Sequence, residues 1–198
     1  ARDTLDNPLF PNSGTQQRAS AEVTFPGGDL EYYRLSYTAS AYIPLTKTIS
    51  YKLKASLDYG DGYGDTAVLP FYKNFYAGGS NSVRGYRSRS LGPTDVGGPD
   101  PTLSIGGSKR VLGNTELLFP FPGMGDNKAM RLSVFADAGM VYAADQDVDL
   151  GELRYAAGLA FNWFSPIGPL SISYAFPLNE QAGDNTESVQ FTLGQAFR

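Results

Sequence analysis

The sequence predicts an all-β fold, an antiparallel meander of eight transmembrane strands. Polarity alternates with a period of two residues, which gives a strand one wet and one apolar face. The alternating segments run to about 10 to 14 residues, longer than ordinary strands and long enough to cross a bilayer when tilted. The 198 residues are also rich in Tyr (13), Phe (12) and Gly (23), a composition that favours strands and turns over helices.

The most regular strand lies at 49–59, where "ISYKLKASLDY" alternates without interruption. Ile49, Tyr51 and Leu53 begin its apolar face, and Ser50 and Lys52 begin its polar face. The other seven predicted strands lie at 15–25, 31–43, 108–119, 129–143, 153–164, 169–178 and 188–198. Turn signals such as "FPGGD", "PGMGDN" and "EQAGDN" separate them. A soluble β-sandwich or lipocalin-like barrel fits less well, because its strands would be shorter and its apolar face would point inward.

The composition argues against several classes of function. A net charge of −4 makes a nucleic-acid partner unfavourable on electrostatic grounds. The chain has no cysteine and no histidine, which removes Cys/His zinc sites, cysteine nucleophiles and Ser-His-Asp catalysis. We therefore expect no enzyme, no metal site and no cofactor. Mean hydropathy of −0.26 is compatible with a membrane barrel, since only every second residue faces lipid.

The connections between the predicted strands differ in length on the two sides of the sheet. One side carries 26–30, 61–107, 144–152 and 179–187, and the other carries 8–14, 44–48, 120–128 and 165–168. In outer-membrane barrels the longer loops face outward and the shorter turns face the periplasm. We therefore expect a location in the bacterial outer membrane with the C-terminus on the periplasmic side.

Residues 61–107 form a connection far longer than an ordinary loop, which indicates a functional segment. Its first half, "LPFYKNFYAGG", carries Leu69, Phe71, Tyr72, Phe75 and Tyr76, and we expect this part to pack in the barrel interior.

The centre of this loop, "SVRGY", contains Arg84. A guanidinium inside the barrel needs carboxylate partners, because an unpaired buried charge is strongly destabilising. Glu116 and Asp137, on the strands that follow, are the candidate partners. Alternatively, Arg84 and the two arginines after it form a solvated basic cluster on an outer loop. The spacing alone leaves both interpretations open.

Several motifs in order resemble the BamA family, the outer-membrane assembly factors of Gram-negative bacteria. These motifs are "FYAGGSNSVRGY" followed by "LGP", then "VFADAG", then "SPIGPLSISYAFPL". The resemblance covers essentially the whole chain. It implies that residues 1–198 are the C-terminal half of a barrel of about sixteen strands, without the periplasmic repeat domains of the family.

The resemblance also assigns roles to individual residues. It implies that Val83, Arg84, Gly85 and Tyr86 form the tip of a loop folded into the lumen, with Glu116 and Asp137 as partners of the arginine. It further implies that the last strand carries a C-terminal signal and pairs weakly with the first barrel strand, forming a lateral seam. The signal residues share one face of that strand: Val189, Phe191, Leu193 and Phe197.

The implied function is folding and insertion of β-barrel proteins into the outer membrane without ATP. The implied partners are outer-membrane lipids, unfolded barrel precursors and accessory assembly lipoproteins. A two-partner-secretion pore of the same superfamily is the alternative, since it shares the arginine motif. A passive porin and a membrane hydrolase fit less well, the latter because the chain has no histidine.

Eight strands of a larger barrel would expose two long edges, which invites association. We expect the sheet either to close on itself as a small barrel or to self-associate by pairing its edges with a second copy.

Overall fold

A computed structural model describes residues 1–8, 10–95, 104–123, 129–166 and 168–194. Within these ranges the chain forms eleven strands and two short 3-10 helices, at Phe71–Lys73 and Leu150–Glu152. The strands are β1 (Arg2–Asp3), β2 (Gly14–Val23), β3 (Tyr32–Pro44), β4 (Ser50–Gly62), β5 (Gly85–Tyr86), β6 (Lys109–Pro120), β7 (Met130–Tyr142), β8 (Arg154–Ser165), β9 (Gly168–Pro177), β10 (Thr186–Glu187) and β11 (Val189–Leu193).

One antiparallel sheet contains nine of these strands in the order β1-β2-β3-β4-β6-β7-β8-β9-β11. The eight strands predicted from polarity all occur in it, so the predicted meander is confirmed. The two short strands β5 and β10 pair with each other outside this sheet. They join the long loop to the segment that precedes β11.

Strand length matches the thickness of a bilayer. The strands β3, β4 and β7 have 13 residues each, and β6 and β8 have 12. At about 3.3 Å per residue and a tilt of about 40°, a 12-residue strand rises about 30 Å, which is the thickness of the hydrocarbon core. Among the described residues, no helix has the length and hydropathy of a membrane span.

The polarity of the sheet is inverted relative to a soluble protein. One face, here called the outer face, exposes large apolar side chains such as Leu57 (53%), Leu159 (59%) and Phe191 (60%). The opposite, inner face buries polar ones such as Ser56, Asp58 and Ser133. A continuous cross-strand row on the outer face is formed by Ile43, Tyr51, Leu117, Val134, Leu159, Tyr174 and Val189. Such an apolar band is stable against lipid and unfavourable against water.

The sheet of described residues is open, with β1 and β11 at its two edges. Closure into a small barrel, one of the two expected arrangements, is therefore not adopted by this single chain. An eight-stranded barrel has an interior just wide enough for its own side chains. Here the inner face also accommodates the long loop, whose Val83 and Tyr86 are fully buried against it.

The loop packs on the inner face through a small apolar core. Ala77, Val83, Tyr86 and Leu91 of the loop contact side chains of β6, β7 and β8. Leu69 and Phe75 are also buried, as expected for the aromatic first half. Phe71 and Tyr72 are not, with 78% and 56% exposure; they lie in the 3-10 helix and contact each other edge to face, and Tyr76 is partly buried.

Candidate functional site

Two neighbouring rows of inner-face residues form the wall on which the loop tip lies. The first row runs Lys54, Asn114, Asp137, Ala156 and Pro177, and the second runs Lys52, Glu116, Phe135, Gly158 and Ala175. Strand alternation places all ten on the same face, and register places the polar members beside the small ones. The result is a charged patch on β4, β6 and β7 next to a shallow trough on β8 and β9.

Arg84 lies over this charged patch and is only 8% exposed. Its Nε donates to Asp137 Oδ2 at 2.7 Å and its Nη2 to Asp137 Oδ1 at 2.8 Å, a bidentate pair. Its backbone N–H also donates to Asp137 Oδ2, at 3.1 Å. Glu116 Oε1 lies 3.4 Å from Nη2. The structure thus brings together the three residues that the sequence singled out, Arg84, Glu116 and Asp137.

Lys52 is a further member of this charged group. Its Nζ donates to Glu116 Oε1 at 3.2 Å, so Glu116 lies between two cations. Two positive and two negative groups are therefore paired here, which offsets much of the desolvation cost of burying them. Burial alone would lower the pKa of Arg84, but its hydrogen bond with Asp137 and the negative charge of Glu116 outweigh burial and raise this pKa. The guanidinium is charged at any physiological pH.

Phe135 is a contact that polarity alternation does not predict. It occupies a position of the polar inner face and is 2% exposed, with the Arg84 guanidinium carbon 3.5 Å from its ring centre. Arginine stacked on an aromatic face gains cation–π attraction, which is stronger when water is excluded. The sequence did contain a signal for this contact: Phe135 is a bulky apolar residue between Ser133 and Asp137 on the polar face of its strand.

Gly85 lets the loop enter the trough beside the charged patch. Its φ is +89°, a left-handed conformation that side chains rarely adopt. A Cβ at this position would lie 3.2 Å from the Cβ of Ala175 and 3.4 Å from that of Ala156. The position therefore needs glycine for both conformation and space.

Tyr86 and Val83 anchor the loop tip on either side of the Arg84–Gly85 pair. Both are fully buried, and the Tyr86 hydroxyl donates to the carbonyl oxygen of Tyr155 at 3.4 Å. Burial raises the pKa of Tyr86 to about 12, so the phenol is neutral at physiological pH. Neither residue offers a reactive group, which fits a positioning role.

The last strand presents its predicted signal residues away from this site. Val189, Phe191 and Leu193 face outward on β11 and are 60%, 60% and 48% exposed. Phe197 lies outside the described residues. The opposite face of β11 does reach the loop: Gln190 Nε2 donates to the carbonyl oxygen of Tyr86 at 2.8 Å. This contact depends on the course of two loops, and we found no sequence signal for it.

Besides Arg84 of the loop, Arg131 of β7 also holds a segment on the inner face, near the opposite end of the strand. Arg131 donates to the carbonyl oxygens of Phe10 and Pro11 and to Asn12 Oδ1, each at 3.0 Å. Ser50 Oγ donates to the same Asn12 oxygen at 3.1 Å. The connection between β1 and β2 is thus pinned to the wall independently of the long loop.

The described ranges contain no group of three or more acidic side chains that could hold a metal ion. The contacts that the structure shows at the site are ion pairs, hydrogen bonds and apolar packing.

Comparison with known proteins gives the family. The Omp85 superfamily domain matches residues 1–197. The chain belongs to the Omp85 superfamily. It is 37% identical over 220 residues to the outer membrane protein assembly factor BamA of Neisseria meningitidis serogroup B, covering 99% of this chain and 28% of that protein. A SAM50-like protein of Schizosaccharomyces pombe is 26% identical, covering 99% of this chain and 43% of its own length.

A solved Omp85 structure has the same architecture. The crystal structure of BamA from Haemophilus ducreyi lacking POTRA domains 1–3 superposes with a TM-score of 0.84 at 34% identity, over 95% of this chain and 39% of that one. The resemblance to the C-terminal part of the BamA barrel is confirmed. The chain spans between about a quarter and a half of the length of the relatives it matches.

Proposed function

We propose that this chain is the barrel part of a machine that folds β-barrel proteins and inserts them into the outer membrane. One observation carries the proposal: an inserted loop is pinned through Arg84 to Asp137 and Glu116 on the inner wall, in a sheet with a lipid-compatible outer face. A passive pore needs no ordered ion-pair group of this kind. The arrangement offers no group for covalent chemistry, and we propose a non-enzymatic role.

The physical driving force would come from the client chain itself. Every backbone polar group in a bilayer needs a partner, so an unpaired strand edge is unfavourable there. The open edge at β11 offers such a partner to a client strand, and the apolar outer face continues into lipid. Folding and insertion then proceed without ATP, because the client buries its own strand edges and apolar faces. In this proposal the lateral seam is formed by the last strand, whose C-terminal end lies on the periplasmic side. Its residues are Val189, Phe191, Leu193 and Phe197.

The proposed partners follow from the same surfaces. Unfolded barrel precursors contact the edge, outer-membrane lipids contact the apolar band, and accessory assembly lipoproteins contact the machine outside this chain. The single domain 1–198 contributes the inserted loop 61–107. The exposed edges also permit self-association of this chain when it is isolated.

A two-partner-secretion pore is the second candidate, because the arginine motif alone does not discriminate between them. The names of the relatives favour assembly: the bacterial proteins are assembly factors, and a Xenopus laevis relative at 26% identity is a sorting and assembly machinery component.

Depletion of the native protein, followed by a census of the outer membrane, tests the proposal. We expect many unrelated β-barrel proteins to be lost together while their precursors accumulate in the periplasm. Loss of a single secreted protein, with the barrels retained, would instead identify a dedicated secretion pore.

A further inference from the structure

The loop tip is bound on two sides, and only one side involves Arg84. On the other side, the backbone of Gly85 and Tyr86 pairs with Glu187 and Thr186 as a short antiparallel ladder. The N–H of Arg87 continues this contact by donating to the carbonyl oxygen of Asn185 at 2.8 Å. The loop therefore also holds the segment that leads directly into β11.

Two inner-face side chains of β11 extend this contact into the strand itself. Gln190 is 6% exposed and donates through Nε2 to the Tyr86 carbonyl at 2.8 Å. Two residues further along, Thr192 Oγ1 and Ser80 Oγ share a hydrogen bond of 2.8 Å. Strand alternation places Gln190 and Thr192 on the same face, opposite the outward Val189 and Phe191. The inner face of β11 is thus tied to the loop along its described length.

These contacts affect the order of β11 because this strand lies at an edge of the described sheet. Among described residues β11 has one sheet neighbour, β9, over a ladder of five residues from Val189 to Leu193. The preceding ladders have ten or more pairs. The described part of β11 makes few pairs with its own sheet, so contacts from the loop contribute much to how firmly this part is ordered.

We infer that the long loop orders the last strand, and that Gln190 is the positioning residue that links the arginine site to the sheet edge. This inference rests on the proposed function, in which that edge receives the client strand. Arg84 fixes the loop on β6 and β7, and the loop backbone then fixes β11 through Gln190. Release at either end loosens the other, because coupling between two sites is reciprocal.

A disulfide-trapping experiment in the native protein tests this link. The chain has no cysteine, so Ser80→Cys together with Thr192→Cys reports directly on the distance between loop and strand. Their hydroxyl oxygens are 2.8 Å apart, so two thiols at these positions lie close to each other when loop and strand are docked. The rate of cross-linking is followed by gel mobility, with each single-cysteine variant as the blank.

The side chain at position 190 is then varied in this double-cysteine background. Gln190→Met keeps the length but removes the donor, and we expect cross-linking to slow about fivefold, the value of one hydrogen bond. Gln190→Glu places a carboxylate against the Tyr86 carbonyl and near Glu187, and we expect about a tenfold or greater reduction. Gln146→Glu is the matched control, because Gln146 is exposed in the connection between β7 and β8, and its side-chain oxygen accepts from the Ala143 N–H as a glutamate oxygen also can. It should leave the rate unchanged.

Reciprocity gives the second readout. Arg84→Met should also slow cross-linking between 80 and 192, although Arg84 contacts neither position. Gln190→Glu should speed maleimide labelling of a Val83→Cys probe at the buried loop tip. A merely local packing role of Gln190 predicts equal effects of Met and Glu and no change at Val83, and that result would overturn the inference. A normal outer-membrane census after depletion would overturn the proposed function instead, since it uses neither cysteine pair nor probe.

Discussion

Asp137→Asn is the most informative single change at the arginine site. The amide has nearly the size of the carboxylate, so packing against the loop is preserved. Asp137 accepts three hydrogen bonds from Arg84 and one from Asn114 Nδ2, at 2.8 Å. After the substitution, one side-chain oxygen becomes an NH₂ group that faces donors. The charge of Arg84 is then balanced only by Glu116, which it shares with Lys52.

The size of the effect follows from breaking a buried ion pair. Removing one partner of such a pair costs about 3 to 5 kcal/mol. Because Glu116 remains 3.4 Å from the guanidinium, we take the lower end, about 3 kcal/mol. At about 1.4 kcal/mol for each factor of ten, the population with a detached loop should rise roughly a hundredfold.

Labelling of a cysteine at the loop tip measures that population. Val83 is fully buried beneath the docked loop, so a maleimide reaches Val83→Cys only after detachment. When the loop recloses faster than it is labelled, the labelling rate is proportional to the detached population. Asp65→Asn is the matched control, because Asp65 is an exposed aspartate of the same loop.

Two results would refute this reasoning. One is an increase of less than about threefold with Asp137→Asn, which corresponds to under 1 kcal/mol. The other comes from the Arg84→Met background, in which the carboxylate of Asp137 lacks its main partner. There Asp137→Asn relieves a buried charge, so labelling should stay constant or slow down. A further hundredfold rise in that background would show that Asp137 acts independently of Arg84.

Three further changes test other parts of the inner wall. Phe135→Leu removes the ring beneath Arg84, and at about 1 to 2 kcal/mol for a desolvated cation–π contact it should speed Val83→Cys labelling about five- to thirtyfold. Gly85→Ala should speed the same labelling about tenfold, because a left-handed φ costs a Cβ-bearing residue about 1 to 2 kcal/mol and at this position the cost opposes docking of the tip; Gly27→Ala has the same φ cost but lies in the connection between β2 and β3, so it should leave the labelling unchanged. Arg131→Met should expose an Asn12→Cys probe to maleimide at least about tenfold faster, since this probe leaves the hydrogen bonds of Arg131 to the carbonyl oxygens of Phe10 and Pro11 intact, and hydrogen bonds to a charged group contribute about 1.5 to 3 kcal/mol. The Val83 probe should be unaffected by that change, and a parallel rise at both probes would contradict two independent clamps.

The strands were predictable because bilayer burial imposes a simple polarity code. In β4, each residue from Ser50 to Tyr59 alternates faces as its polarity indicates. The ends of the strands were predicted to within a few residues, except that the predicted end of the last strand at 198 lies outside the described residues. The open or closed state of the sheet could not be predicted, since that depends on what occupies the inner face.

The site residues that follow the alternation of polar and apolar faces could be predicted from the sequence, and the others could not. Glu116 and Asp137 stand out as carboxylates on polar faces of strands that follow the loop. Phe135 departs from the alternation, because this aromatic side chain lies on the polar inner face and stacks on the Arg84 guanidinium instead of facing lipid. The pairing of Lys52 with Glu116 depends on the register of β4 and β6, which the long loop separates, so no turn geometry reveals it. The ladder of β5 with β10 is likewise invisible, because two-residue strands carry no periodicity.

The inner-wall anchors of the loop tip described above all lie later in the chain than the tip itself: Glu116, Phe135, Asp137 and Gln190. Asp137 is 53 residues beyond Arg84, and Gln190 is 104 residues beyond Tyr86. Contacts of such long range form slowly compared with the hairpins between successive strands. Pulse labelling of Val83→Cys during refolding should therefore show protection only after the hairpins have formed. The two sides of the tip therefore dock at different stages: a chain stopped before Thr186 would hold its arginine through Asp137 and Glu116, while the backbone of Gly85 and Tyr86 would stay unpaired until the segment leading into the final strand is present.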